Sequence, residues 1–205
     1  MIVSGDAEDY DVDGDGYLLN ATIVNGNMIF GLGLNNLSVD IDGDSVDETE
    51  ESDDISFSLG TYINDSSSIS LSIIKSETEY SDNDEDESGT SDATTLTLGY
   101  KNVMELAGDS NFVLDADLST IDVKEADSNS NSTALNLSAT YYPMNNIGVG
   151  GILGVADYDS GSEHTVGIQA EYFVTPSIAL SGTYSNAHSD GEDLKTIGFG
   201  VVGRF

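Results

Sequence analysis

Alternation with a period of two, kept up to the last residue, constrains this chain more than any other feature. From Thr165 onward, Val166, Ile168, Ala170 and Tyr172 alternate with Gly167, Gln169, Glu171 and Phe173. After a turn at Val174-Thr175-Pro176-Ser177, Ile178, Leu180, Gly182 and Tyr184 alternate with small residues. The final segment sets Ile197, Phe199, Val201, Gly203 and Phe205 against Thr196, Gly198, Gly200, Val202 and Arg204. Residues two apart share a strand face, so each segment has one apolar and one small or polar face. An aromatic residue closing such a strand is awkward in water. It is expected at a membrane interface, where aromatic girdles border the apolar band of transmembrane barrels.

The same pattern organises the rest of the chain. Tyr17, Leu19, Ala21 and Ile23 lead into Asn25-Gly26-Asn27, a strong hairpin signal,. The return strand runs from Met28 to about Ile41, and its apolar parity changes between Leu34 and Leu37, which predicts a bulge at Asn35-Asn36,. A second hairpin pairs Ile55–Tyr62 with Ser68–Tyr80. A third joins Leu96, Leu98 and Tyr100 to Phe112, Leu114, Ala116 and Leu118 through the longer link Lys101–Ser110. A fourth turns at Pro143-Met144-Asn145-Asn146. Tyr62, Tyr100, Tyr141/Tyr142 and Tyr172/Phe173 each stand before a link, and no single hairpin can bury its own apolar face,.

About eleven strands are legible. Bacterial single-chain barrels have an even number, so a truncated or missing first strand is expected ahead of Tyr17, with Met1-Ile2-Val3-Ser4 as its tail. The expected fold is a single all-β domain over 1–205: an up-and-down antiparallel transmembrane barrel of about twelve strands. A water-soluble sandwich is the competing fold, because periodicity alone does not say whether apolar faces meet each other or lipid.

Charge orients the barrel. Asp and Glu number 38 against 5 Lys and Arg, a formal net charge of −33. Nearly all the acid lies in the connectors 1–16, 40–54, 77–92, 122–129, 157–163 and 190–193, while the intervening links carry only Asp65, Glu105 and Asp109. Alternate links of a meander fall at one end, so one end is acidic and the other has short turns. Outer-membrane barrels show that asymmetry, with long external loops and short periplasmic turns. The charge also disfavours nucleic acid, which requires a basic surface. With no cysteine, disulfides and thiolate metal sites are excluded,. No run reaches the length of a membrane helix, which leaves the closed barrel as the way to span. Met1-Ile2-Val3-Ser4-Gly5-Asp6 lacks the basic start and apolar core of a secretory signal,. A mature form, an internal start and a cytosolic protein all fit that, and the strand count favours the first two.

Candidate sites follow from these faces. Asp115, Asp117, Gln169, Glu171 and Arg204 fall on the polar, lumen-facing set, where acids favour cations unless Arg204 and lysines neutralise them,. Ile197, Phe199, Val201 and Phe205 form the apolar set of the C-terminal insertion strand. Asp11-Val12-Asp13-Gly14-Asp15-Gly16 has the opening of a calcium loop, but Thr22 stands where its bidentate acid belongs,. Loose binding of calcium or magnesium to this acid is the weaker expectation, and a solvated segment the plainer one. His164 and His188 fall at the acidic ends of consecutive strands and, with Glu163 or Asp190, are candidate transition-metal ligands,. No nucleophile, base and orienting group are singled out, so no enzyme activity is expected.

Three stretches resemble a known family. Tyr141-Tyr142-Pro143 with Ile147-Gly148-Val149-Gly150-Gly151, Ala170–Ser181, and Gly198–Phe205 are similar to the porins of marine gammaproteobacteria over roughly the last seventy residues. The resemblance implies an outer-membrane channel for ions and small polar solutes, inserted by the barrel-assembly machinery among lipid and lipopolysaccharide, with no cofactor. The alternative is a non-conducting barrel whose acidic loops hold divalent cations or surface partners.

Overall fold

In the computed structural model the backbone is described for residues 2–7, 10–43, 46–82, 87–106, 108, 110–124, 129–158, 161–175, 178–189 and 192–203. Among the described residues twelve strands run antiparallel in chain order and close on themselves, the first pairing with the last. They are β1 (Ile2–Ala7), β2 (Tyr10–Asn25), β3 (Met28–Gly43), β4 (Val46–Asn64), β5 (Ser67–Asp82) and β6 (Glu87–Glu105). The second half comprises β7 (Asn111–Lys124), β8 (Asn129–Met144), β9 (Ile147–Tyr158), β10 (Gly161–Thr175), β11 (Ile178–Ser189) and β12 (Glu192–Gly203). Among the described residues no helix is long and apolar enough to cross a membrane, which says nothing about strands.

Exposure decides which face points where. Along β10 it alternates strictly: Val166, Ile168, Ala170 and Tyr172 are exposed, whereas Thr165, Gln169 and Glu171 are half-buried and Gly167 is buried. Leu135, Ile168, Leu180 and Phe199 all lie on the exposed side, with Ser181 and Gly200 half-buried on the inner one. Among the described residues the only buried apolar side chains are Ala156 and Ala179. A soluble sandwich hides its large apolar side chains in a core, whereas here they cover the outside of a cylinder. That surface is stable only against hydrocarbon, at roughly 1.5–3 kcal/mol per large side chain removed from water.

Hairpin turns follow local chemistry. Gly26 adopts φ +60° in the link between β2 and β3, and the Asn64 side-chain oxygen accepts the Ser66 N–H at 2.8 Å in the next tight turn,. The longer link after β6 is pinched by a bond from the Leu106 N–H to the Ser110 carbonyl at 2.9 Å, with Gly108 at φ +81°.

Two expectations need correction. The acidic connectors are largely strand: β4 and β6 each run to 19 residues, beyond the nine to eleven that span a bilayer,. The acid therefore stands on ribbons that extend the barrel wall. The bulge at Asn35-Asn36 is absent, because β3 keeps unbroken register with both β2 and β4 through this point. The apolar residues change face there because lipid no longer sorts them, and the two asparagines instead bond acids of β4. Asn35 donates to Asp54 at 2.8 Å, and Asn36 to Asp53 at 3.1 Å. The aromatic residues before the links divide between the two faces. Tyr100, Tyr141 and Tyr172 lie on the outer face, whereas the register puts Tyr62, Tyr142 and Phe173 on the inner one.

The short β1 closes only part of the wall. Ile2–Gly5 pair with Leu194–Ile197 of β12, and Ile2–Ala7 with Tyr10–Asp15 of β2. Among the described residues, β2 beyond Gly16 and β12 beyond Ile197 pair on one side only. Beside that seam stand the most exposed large apolar side chains among the described residues: Phe199 at 77%, Val201 at 73% and Ile23 at 67%.

Candidate functional site

The inner face is built from small residues because every second position of each strand is Gly, Ser, Thr, Ala or Asn over long stretches. Thr22, Gly31, Ser58, Ser72, Thr97 and Ser119 stand in one unbroken row across β2 to β7. Within it Thr97 and Ser119 join their hydroxyls at 2.8 Å, a bond that runs along the wall. Polar side chains satisfied in this way lie flat.

On β9 the inward positions Gly148, Gly150 and Gly154 carry no side chain, and their neighbours fold over them. Tyr142 of β8 covers Gly148, where an added Cβ would lie 2.5 Å from the tyrosine ring. Its hydroxyl then donates to Glu171 of β10 at 2.6 Å. One strand position along, Gln169 of β10 reaches over Gly150 and donates to the Thr140 hydroxyl on β8. Phe173 packs beside Tyr142 with ring centroids 6.4 Å apart. Replacing Tyr142 with Phe removes the donor to a carboxylate, a bond worth roughly 1.5–3 kcal/mol. A loss of about 1–2 kcal/mol is expected at this partly wet site, read from urea unfolding in vesicles.

The predicted lumen acids divide. Asp115, Asp117, Gln169 and Glu171 all lie on the inner face: Gln169 and Glu171 are half-buried between exposed neighbours, and Asp115 and Asp117 share the side of buried Ser119, opposite exposed Leu114 and Leu118. Asp115 is paired with Lys101 at 3.1 Å, so one acid is neutralised by a lysine of the adjacent strand. Asp117, two residues along, is flanked by Gly99 and Asn136 in register, and Glu171 keeps its Tyr142 donor. Arg204 and Phe205 lie outside the described residues. Ile197, Phe199 and Val201 of the C-terminal strand are exposed on the outer face.

The metal candidates also separate. Asp11, Asp13 and Asp15 stand on β2 in continuous ladders with β1 and β3. An extended backbone at Gly16 cannot make the sharp turn of a calcium loop. His164 and His188 are direct cross-strand partners. The carboxylate that accompanies them is Asp193, whose Oδ1 lies 2.9 Å from His188 Nδ1. Glu163 instead faces inward and accepts a bond from Thr165 at 3.2 Å, while Asp190 lies outside the described residues. Asp193 comes from a third strand, opposite His188 across the link between β11 and β12. At the acidic end of β9, burial first and the Glu163 carboxylate second push the Tyr158 phenol above its ordinary value,.

A closed antiparallel cylinder with an apolar exterior and a small-residue polar interior is the architecture of outer-membrane β-barrels, and the chain has that fold. The β domain of the Bordetella autotransporter BrkA superposes with a TM-score of 0.71 at 11% identity, covering all of this chain and 96% of that one. The translocator domain of the autotransporter NalP from Neisseria meningitidis gives 0.70 at 12% identity, covering 100% and 85%. The KdgM porin gives 0.59 at 11% identity, covering 100% and 98%. No protein-family model and no curated protein matches the chain.

Proposed function

We propose that this chain is an outer-membrane channel, related to the porins of marine gammaproteobacteria, that passes ions and small polar solutes by passive diffusion with a weak preference for cations. The observation that carries the reading is the wall itself: rows of Gly, Ser and Thr in which Thr97 bonds Ser119 and Thr78 bonds Ser52 between adjacent strands, along the cylinder rather than across it. Eight-stranded barrels are filled by their own side chains and porins of sixteen or more hold water. Twelve strands lined by small residues lie between and leave room for a narrow aqueous path. Solutes then move with width and charge as the only filters, with no catalytic group and no cofactor. Porins such as KdgM and NanC share the fold.

Cation preference follows from unbalanced acid on the inner face. Lys101 offsets Asp115, leaving Asp117 and Glu171 to attract cations. Planar-bilayer recording on the full-length protein tests both parts. Stepwise conductance with a cation-to-anion permeability ratio above unity is expected. Asp117→Lys should bring that ratio to unity or below while conductance persists. No steps at any salt concentration would remove the channel, and an unchanged ratio would remove the role of Asp117.

One observation favours a second reading, a barrel whose acidic ribbons hold divalent cations against lipopolysaccharide or a surface partner. Asp53, Glu77 and Asp92 are direct cross-strand neighbours on the outer face, and Glu51 opposes Glu79 one step further out. Like charges placed opposite each other destabilise a sheet, and calcium or magnesium would relieve that repulsion. A chelator that lowers the unfolding temperature while conductance is absent selects this reading.

A further inference from the structure

The outer rim of β10, β11 and β12 carries a constellation that conduction does not use. We infer that His164 and His188, with Asp193 as the orienting group, form a binding site for a divalent first-row transition ion such as zinc or nickel. The two histidines are register partners on adjacent antiparallel strands. Direct partners share a face, with Cβ atoms about 4.5–5.5 Å apart. Both are exposed and lie on the outer side of the wall, since Val166 and Tyr184, two and four residues toward the membrane from them, are exposed there too. Two imidazoles at that spacing converge on one ion with Zn–N bonds of about 2.0–2.1 Å.

Asp193 turns the pair into a site. Its Oδ1 lies 2.9 Å from His188 Nδ1. A carboxylate only accepts, so Nδ1 carries the hydrogen and Nε2 presents its lone pair outward. A carboxylate that fixes the far nitrogen of a metal-ligating histidine is the usual supporting contact in such sites. Among the described residues no three His, Asp or Glu side chains form a ready cluster. The protein therefore supplies two nitrogens, and water or an external ligand supplies the rest. Imidazole selects zinc, nickel or copper over the oxygen-seeking calcium and magnesium. Lys195, the register partner of Asn186 one step toward the membrane, opposes the ion's charge.

Zinc titration of the full chain in detergent or vesicles, with excess magnesium chloride to occupy the acidic ribbons, tests this. One equivalent of zinc should bind and shift the imidazole ring resonances of both histidines. His164→Ala and His188→Ala should each weaken binding at least tenfold, and Asp193→Asn about tenfold to a hundredfold. Glu163→Gln should leave affinity unchanged because that residue faces the lumen, and Lys195→Gln should tighten it. Heat-dependent gel mobility shows that each variant is folded. Zinc binding retained in the double histidine variant would assign the ion to carboxylates and overturn the site. Absence of binding, or imidazole resonances that do not move, would also overturn it.

Discussion

Arginine at Leu137 destabilises the barrel by about 2–4 kcal/mol in a bilayer, whereas arginine at Ser138, the next residue on the same strand, costs under about 1 kcal/mol. Leu137 is exposed on the outer face, flanked in register by Ala116 and Leu153. A guanidinium there must sit in hydrocarbon or drag water into it. Ser138 faces inward between Asp115 and Ile152, so its arginine enters a wet lumen beside a carboxylate. Urea titration of folding into lipid vesicles, followed by circular dichroism and gel mobility, measures both. Equal losses at the two positions would sink the assignment of the faces. A reversed order would mean that the apolar side chains line the inside.

Valine at Gly150 prevents folding or costs about 3 kcal/mol or more, the upper end of what overpacking does. An added Cβ would lie 2.4 Å from the Ala139 carbonyl oxygen and 3.0 Å from the Thr140 Cα, both backbone atoms of the neighbouring strand. A side chain could rotate away, but a paired strand cannot. The substitution also blocks the path by which Gln169 reaches Thr140. The adjacent Gly151 makes the comparison clean, because its nearest neighbour would be the Gly167 carbonyl oxygen at 3.8 Å. Gly151→Val is expected to be neutral or slightly stabilising, since the new side chain meets lipid. The same vesicle titration reads both, and a well-folded Gly150→Val would show that the inner wall is looser than its distances imply.

The two experiments probe the features that were most and least open to reading from residues alone. Alternation is a local property of the chain, and the choice of lipid over a core follows once uniform apolar faces, a strongly asymmetric distribution of acid and link tyrosines are read together. Local turn chemistry was equally plain at Asn25-Gly26-Asn27. The misread at Asn35-Asn36 has a physical cause. A change of apolar parity signals a bulge only while the environment on each face stays constant. Here the strand passes out of the apolar belt, and Asn35 and Asn36 exchange lipid sorting for bonds to Asp54 and Asp53. The acidic connectors read as loops in the sequence for a related reason. Strand propensity counts acid against pairing, yet pairing with neighbours already in register extends the ladder beyond the membrane.

By itself the sequence determined that this chain is a meander of hairpins with one greasy face, acid gathered at one end, and a short segment ahead of Tyr17 left to complete an even count. Those properties depend on which residue follows which, and a period of two carries them. Only the tertiary structure decided that Lys101 neutralises Asp115, that Tyr142 crosses a glycine to reach Glu171, and that Asp193 rather than Glu163 accompanies the paired histidines. Each of these joins side chains from different strands. Which of them meet depends on strand register and on the direction each side chain takes along the wall.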